Sequence, residues 1–319
     1  MTTGTQEEVK QSARNMPDSF GIQPGAIAHL PLADSSRKSV ATGHPLPNSG
    51  RLQTLSQAMA AAALTFRLIC RTGPRCRPVR AYYLGGRFSL SNRLRAATNH
   101  YLTITRHFKP EFLLSSASGR TLVWQKKSDN LEVKIGLRFP YHYNFDGDQC
   151  LILAVNGADA CILTFSIAPG SIVSAAAEQI LLVSGVQGHA GKIEDIRLAT
   201  EFCNNVSPAH LLLFAAEALA LAIGVQMIVG IGRSHMIEAK PAEGRSQFDY
   251  DFFWKSITGD EETCDFYCMP LPLTSKPIES ISAKHRKRAL KRRELRNEIR
   301  AEIALQVNNN LASHCLKDQ

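Results

Sequence analysis

The stretch whose pattern decides the fold is residues 181–233, which read LLVSGVQGHAGKIEDIRLATEFCNNVSPAHLLLFAAEALALAIGVQMIVGIGR. An apolar run ending at Val183 predicts a buried strand, which Gly185 and Gly188 are expected to break. From Lys192 to Cys203, apolar residues recur at steps of three and four, which predicts a helix with one buried face. A strand, a glycine-containing loop and a helix are therefore expected in that order.

A second helix and a second strand follow in the same stretch. Ser207 is a suitable N-cap, Pro208 is tolerated at the first helical position, and Gly224 supplies the stop. The run from Val225 to Ile231 is apolar and β-branched, which predicts another strand. Two strands separated by a helical crossover are expected to be parallel.

The second helix is apolar on nearly all sides, which predicts a buried element. A helix-turn-helix that reads DNA would expose polar side chains on this helix, so that interpretation is disfavoured. Its polar side chains, His210 and Glu217, lie seven residues apart. They are either satisfied core contacts or an acid-base couple.

The residues before this stretch predict antiparallel hairpins. Four candidate strands cover 121–126, 131–138, 150–155 and 161–167, and Asn156-Gly157 between the last two is a strong hairpin signal. A helical pattern from Ser91 to Leu114, broken at Pro110, precedes them.

A polar connection between the two hairpins contains His142, Asp146 and Asp148. A calcium loop needs oxygen ligands at alternate positions and a closing glutamate, which this segment lacks. No metal site is assigned to the chain.

Composition predicts a protein with a sizeable core in a reducing compartment. The 319 residues are 44% hydrophobic, and the eight cysteines are scattered, mostly within apolar runs. The N-terminus lacks the basic and apolar regions of a secretory signal, and no apolar run reaches the roughly 20 residues of a membrane span. We therefore expect a cytoplasmic protein, with peripheral contact at the inner membrane as an addition.

Composition also divides the chain. A Ser-, Gly- and Pro-rich start predicts a disordered arm, and Pro-interrupted arginines predict a linker. The expected segments are a disordered arm at 1–50, a helix plus basic linker at 51–80, a single mixed-sheet domain at 81–275, a basic amphipathic helix at 276–308 and a tail at 309–319.

The C-terminal helix combines a basic front with an apolar seam. Lys284–Arg293 contains seven Lys or Arg in ten residues, and Leu295, Ile299, Ile303 and Val307 recur on one side. The net charge of +9 implies affinity for polyanions where it is clustered. The helix docks on the domain, contacts an anionic lipid or a lipopolysaccharide precursor, or contacts nucleic acid, which we rank last.

The glycine loop is the candidate cofactor site. It is neither a Walker loop nor a dinucleotide loop, but it approximates the Q/R-x-x-G-x-G/A loop and so resembles the pyrophosphate site of the GNAT acyltransferases. That resemblance implies an acyl-CoA or acyl-carrier donor, and the alternative is a structural connection without a ligand. The candidate cofactor-binding residues are Gln187, Gly188, His189, Gly191 and Lys192.

An aromatic box beyond the second strand supplies further candidates. Phe248 to Trp254 contains five aromatic residues around Asp249 and Asp251, and most of the rings are expected in the core. The candidate catalytic residues around the pocket are Arg197, Arg233, His235, Tyr250 and Asp251. The fold class is therefore α/β (α+β): antiparallel hairpins, then a parallel strand-helix-helix-strand unit in a GNAT-like mixed sheet, with flanking N- and C-terminal helices.

Several motifs in a fixed order resemble the VirK/YbjX family of bacterial proteins. They are NHYLTI with HFKPEFL, YNFDGDQCLIL, GVQGHAGKIEDIRLATEF, SPAHLLLFAAEALALAIGV, YDFFW, FYCMPLPL and IESISAKHRKRALKRRELRNEI. The segment Asn204–Ser207 departs from the glycine-leucine-arginine that precedes the proline in that family. The resemblance implies a virulence-associated factor in envelope integrity and resistance to cationic antimicrobial peptides, without an established catalytic mechanism.

Overall fold

The computed structural model describes residues 83–119, 121–140, 146–236, 248–259 and 262–312. The predicted disordered arm, the helix with its basic linker and the end of the predicted tail lie outside these residues.

One mixed sheet runs through the described part of the chain, with its strands side by side in sequence order. Neighbouring strands are antiparallel except β5 and β6, which are parallel. The strands are β1 Thr121–Lys127, β2 Glu132–Arg138, β3 Gln149–Val155, β4 Ala158–Pro169, β5 Gln179–Gly188, β6 Met227–Ile231 and β7 Phe266–Pro270. The predicted fold class is thus confirmed.

Helices flank the sheet, and all but the one that begins at Tyr250 lie in segments predicted to be helical. The pattern predicted from Ser91 to Leu114 forms two helices, because Pro110 begins the second one. The helices are α1 Leu90–His107, α2 Pro110–Ala117, α3 Ile193–Phe202, α4 Pro208–Ala222, α5 Tyr250–Thr258 and α6 Ala283–Asn309. Within the described ranges, none of them combines the length and the apolar character that crossing a bilayer requires.

The turn between β3 and β4 has the predicted hairpin geometry. Asn156 and Gly157 both have positive φ, 49° and 84°, as a two-residue turn of this kind requires. The hairpin is therefore fixed by two residues that tolerate the left-handed region.

Strand β5 corrects the prediction that it ends at Val183. It continues to Gly188 because its ladder with β4 continues, through a bulge. Thr164 pairs with Gly185 and Phe165 with Val183, so Ser184 is the extra residue.

The main hydrophobic cluster of the described residues has α4 as a central element, and Cys150, Ile152 and Ile162 form a second, small cluster. Eleven residues of α4 are buried, and the helix packs against β3, β4 and α6. Leu295, Ile299, Ile303 and Val307 of α6 are each at most 1% exposed. The C-terminal helix therefore docks on the domain along its apolar seam.

A buried ionic cluster joins α4 to α6. The Glu217 carboxylate accepts hydrogen bonds from Arg296 at 2.5 and 2.7 Å, from Arg300 at 2.7 Å and from the Leu273 amide at 2.8 Å. His210 instead bonds the Ser207 hydroxyl through Nδ1, at 2.8 Å. His210 and Glu217 therefore do not form the pair that their spacing allows.

Candidate functional site

The candidate site lies where β5 and β6 separate. Their parallel ladder runs from Leu181 paired with Ile228 to Val183 paired with Gly230. Beyond Val183, β5 continues to Gly188, whereas β6 ends at Ile231. The last residues of β5 are therefore available to groups other than β6.

The bulge in β5 lies at this separation. A Cβ atom at Gly185 would lie 2.6 Å from the Thr164 hydroxyl and 3.2 Å from Asp146 Oδ2. Only glycine fits there without displacing a neighbour. The bulge therefore brings the β5 backbone close to a carboxyl group at the point where the strands part.

Tyr250, the first residue of α5, reaches the separated part of β5. Its hydroxyl accepts a hydrogen bond from the Val186 amide at 3.2 Å, and Asp249 caps the helix by accepting from the Phe252 amide. Burial raises the pKa of Tyr250 to about 12, and the charge of Asp146 contributes to the increase. The hydroxyl therefore keeps its own proton and can donate it in a further hydrogen bond.

Asp146 is the second titratable group of the site. Burial raises the pKa of its carboxyl from the usual range to about 6. A carboxyl of this kind changes protonation in the range where a general base or acid is useful.

A buried network fixes the segment that carries Asp146. Asp148 accepts hydrogen bonds from the Tyr83 hydroxyl at 2.5 Å and from the Ser166 hydroxyl at 2.7 Å. Burial, followed by the charge of Asp148, holds the pKa of Tyr83 well above its ordinary value, so this phenol is a donor. A Cβ at Gly147 would lie 2.8 Å from the Phe165 carbonyl oxygen, so the segment lies directly against β4.

Asp251 holds the end of β6 against α5. Its carboxylate accepts from the Arg233 amide at 3.1 Å and from the Tyr267 hydroxyl at 3.2 Å. The bond from Arg233 is made by the backbone, and the Arg233 residue is exposed. Asp251 thus positions Tyr250, which precedes it in the chain.

His235 lies in an aromatic setting beside β7. The centroid of its ring lies 4.5 Å from that of Phe266 and 5.4 Å from that of Phe88. Its Nε2 atom lies 3.9 Å from Oδ2 of Asp265. Burial is the main cause that lowers the pKa of His235. A neutral imidazole is therefore favoured.

The glycine loop follows the same end of β5. Gln187 to Gly191 are exposed, and the His189 amide donates to the Ala160 carbonyl at 2.9 Å. Lys192 forms a 2.9 Å ion pair with Asp195 in the first turn of α3. The carboxylates of that turn are thus paired with side chains of the same helix or its cap.

Arg197 lies on the exposed side of α3. It contacts Glu194 at 2.6 Å and Glu201 at 2.5 Å, both on the same helix. These contacts link Arg197 to its own helix, whereas Tyr250 contacts β5 directly.

Sequence reasoning missed Asp146 as a site residue and Tyr83 as its support. Asp146 was considered only as a metal ligand, and Tyr83 lies 65 residues from Asp148. The available signal was the pair of aspartates around Gly147 next to a buried strand.

A second feature lies on the opposite end of α5 from Tyr250. A cavity of about 600 Å³ is formed by α4, α5, the segment 273–276 and the first half of α6. Ser256 and Ile257 of α5 line it.

Comparison with known proteins places the chain in a family. The model of the family described as "Protein of unknown function (DUF535)" matches residues 46–305. The chain belongs to this family. The chain is also 23% identical over 238 residues to the uncharacterized protein YbjX of Escherichia coli strain K12, covering 71% of each chain. This confirms the resemblance drawn from the sequence motifs, and no solved structure matches the chain.

Proposed function

We propose that the chain is a GNAT-like acyltransferase whose site is the separation of β5 and β6. The observation that carries this proposal is the Tyr250 hydroxyl on the Val186 amide beside a bulged strand, with Asp146 next to the bulge. A donor hydroxyl and a carboxyl of raised pKa are the groups that acyl transfer from a thioester needs.

The proposed reaction assigns proton transfer to Asp146 and stabilisation of the developing negative charge to Tyr250. An amine or hydroxyl of the acceptor attacks the thioester carbonyl carbon, and the Asp146 carboxylate takes the proton that the nucleophile loses. The Tyr250 hydroxyl donates a hydrogen bond to the carbonyl oxygen as negative charge develops there. The carbon–sulfur bond then breaks, and the departing thiolate takes the proton back from Asp146.

The loop Gln187–Lys192 is the proposed binding element for the phosphate groups of an acyl-CoA or acyl-carrier donor. Its exposed backbone follows Val186 by only a few residues, so a donor held there would reach Tyr250. The carboxylates of Glu194 and Asp195 in the first turn of α3 repel an anion at that helix end. Their ion pairs with side chains of the same helix or its cap reduce this repulsion.

The test measures thiol release by the purified full chain from a panel of acyl-CoA donors with amine and hydroxyl acceptors. We expect Tyr250→Phe to lower kcat about 100-fold or more, since one oxyanion donor is lost, while KM for the donor changes little. Thr105→Val, which removes a hydroxyl that bonds carbonyl groups of its own helix α1, is the control.

The pH profile tests Asp146 separately. Because the base must be ionised, kcat/KM should rise as the pH increases through about 6, and Asp146→Asn should abolish that rise. A flat profile for the wild-type chain would exclude Asp146 as the base.

Donor binding is tested by calorimetry with acetyl-CoA and a long-chain acyl-CoA. Gly188→Trp should weaken binding at least tenfold, because the new side chain fills the loop. Leu122→Trp, on the exposed side of β1, is the control. If the wild-type chain neither binds a donor nor releases thiol, the proposal is wrong.

A second candidate function is peripheral attachment to anionic lipid through α6. Lys284, Lys287 and Lys291 are exposed on one side of the helix, and no carboxylate lies within 4 Å of them among the described residues. Flotation with phosphatidylglycerol vesicles should depend on anionic lipid and weaken with salt. Flotation that ignores both would exclude this candidate.

The proposed setting is the bacterial cell envelope. The VirK/YbjX resemblance supports an envelope precursor as the acceptor and a contribution to resistance to cationic antimicrobial peptides. A deletion strain complemented with Tyr250→Phe should then remain sensitive to such peptides, whereas one complemented with Thr105→Val should regain resistance.

A further inference from the structure

The side of α6 that faces the domain changes character halfway along the helix. Leu295 and Ile299 are buried near the middle of the helix, and Arg288 and Arg292 occupy the positions one heptad earlier. These arginines line the cavity of about 600 Å³. Where the seam could have continued with leucine and isoleucine, the chain therefore presents guanidinium groups to a cavity.

The cavity has an apolar part and a basic part. Its volume is within the range of small-molecule sites. Its apolar lining comes from four elements or segments, and none of these residues is exposed. They are Leu213, Phe214, Ile257, Leu273 and Ile281.

The basic part has little internal compensation. Among the described residues, no carboxylate lies within 4 Å of Lys276, Arg288, Arg292 or Arg293, whereas Arg296 is paired with Glu217. No acidic residue lines the cavity in the described part of the chain. Within the described ranges, the positive charges of the cavity therefore gather without a carboxylate in contact with them.

The contacts of these cations hold them in place without neutralising them. Arg292 donates to the Asn205 carbonyl at 2.5 Å, and Arg293 donates to the Lys276 carbonyl. Arg288 Nη2 lies 3.5 Å from His285 Nδ1. Carbonyl acceptors orient a guanidinium and leave its charge in place.

The crowded charges add to the effect of burial on the pKa of two neighbouring groups. Burial and then the charge of Arg288 lower the pKa of Arg292. Burial and then the charge of Arg292 lower the pKa of His210, which also lines the cavity. A bound anion would offset the repulsion among these groups.

We infer that this cavity binds a phosphate-bearing amphiphile, with the phosphate on Arg288, Arg292 and Arg293 and the hydrocarbon portion along Phe214 and Ile257. Several guanidinium groups suit the oxygen atoms of one phosphate, because each can bond two of them. The apolar lining adds the burial energy that an inorganic anion could not gain.

This site is independent of the proposed acyl transfer. Tyr250 lies at the start of α5 and contacts β5, whereas Ile257 near the end of the helix lines the cavity. It also differs from lipid attraction by the outer side of α6, because Lys284, Lys287 and Lys291 do not line the cavity.

The experiment is calorimetry of the full chain with dihexanoyl phosphatidic acid below its critical micelle concentration, compared with glycerol 3-phosphate and inorganic phosphate. We expect one phosphatidic acid per chain, bound at least tenfold more tightly than either short anion. The variant Arg288→Gln/Arg292→Gln/Arg293→Gln should weaken binding at least 100-fold, since charge-assisted contacts are lost. Lys284→Gln/Lys287→Gln/Lys291→Gln removes the same charge and should retain binding within about threefold.

Two further measurements separate the alternatives. Arg288→Gln alone, whose guanidinium lies within hydrogen-bond distance of His285 among the described residues, should unfold at the wild-type temperature and still bind about tenfold more weakly. Flotation of both triple variants with phosphatidylglycerol vesicles then distinguishes a bilayer lipid from a soluble source. Flotation that only the arginine variant loses assigns a bilayer lipid to the cavity. Flotation that the arginine variant retains, with the soluble amphiphile still bound by the wild-type chain, assigns a free phosphorylated metabolite. Equal binding of inorganic phosphate, equal losses in both triple variants, or no binding by the wild-type chain would each overturn the inference.

Discussion

At the scale of single residues, Asp146 shows how the fold keeps a carboxyl group protonated above its ordinary pKa. Burial beside the β5 bulge raises its pKa to about 6, so the folded state favours the protonated form. The folded state therefore binds more protons than the unfolded state between the ordinary carboxyl pKa and about 6, and stability falls as the pH rises through that window.

Asp146→Asn should remove this penalty. We expect the free energy of unfolding to increase by up to about 3 kcal/mol at about pH 8, where wild-type Asp146 is ionised, and by about 1 kcal/mol at about pH 4.5. Urea unfolding at both pH values measures the difference. Asp129→Asn, in an exposed turn, is the control and should change stability by less than about 0.5 kcal/mol. Equal gains at both pH values would show that the effect is unrelated to ionisation.

At the scale of elements, local chemistry explains which parts of the fold were predictable. Ser207, Pro208 and Gly224 mark the ends of α4, and Asn156-Gly157 marks a hairpin, because each acts within a few residues of itself. The bulge at Ser184 was not predictable from β5 alone, because its register depends on β4.

The candidate site was predictable only in part, since it depends on distances between remote residues. Tyr250 was selected from its aromatic neighbourhood, but its contact with Val186 spans 64 residues. The partner of Glu217 lies 79 residues away on α6, whereas spacing within one helix suggested His210. A pattern in one element cannot reveal which polar groups of another element it meets.

The contact between α4 and α6 gives the element-scale prediction. Glu217→Met should cost about 3–5 kcal/mol, because the largely buried Arg296 loses its carboxylate. Glu217→Met/Arg296→Met should recover much of that cost, since both charges leave together. Guanidinium chloride unfolding of Glu217→Met, Arg296→Met and the double variant measures the coupling energy between the two residues. Additive costs would show that the pair does not act as a unit, and Arg197→Met, in an exposed pair on α3, should leave the midpoint nearly unchanged.

At the scale of the whole molecule, α6 connects elements that lie far apart in the sequence. It packs on α4 and also on β1, the first strand of the sheet. Its end is tied to the junction of α1 and α2, because the Lys109 amide donates to the Asn310 carbonyl and the Ala312 amide donates to the His107 carbonyl. The last described helix is thus hydrogen-bonded to the junction of the first two helices.

Removing α6 should therefore abolish cooperative folding. Leu295, Ile299, Ile303 and Val307 are almost fully buried, and their burial contributes about 1.5–3 kcal/mol each, which together is comparable to the total stability of a domain. A chain that ends at Ser282 should lose its cooperative thermal transition in calorimetry and bind a hydrophobic dye, because the apolar surface of α4 is exposed. A chain that ends at Ala312 keeps every described contact of α6 and should unfold like the full chain. A sharp transition in the shorter chain would mean that the sheet and α4 form a stable core without α6. The arginines that line the cavity would then lie on a helix that the core does not need for folding.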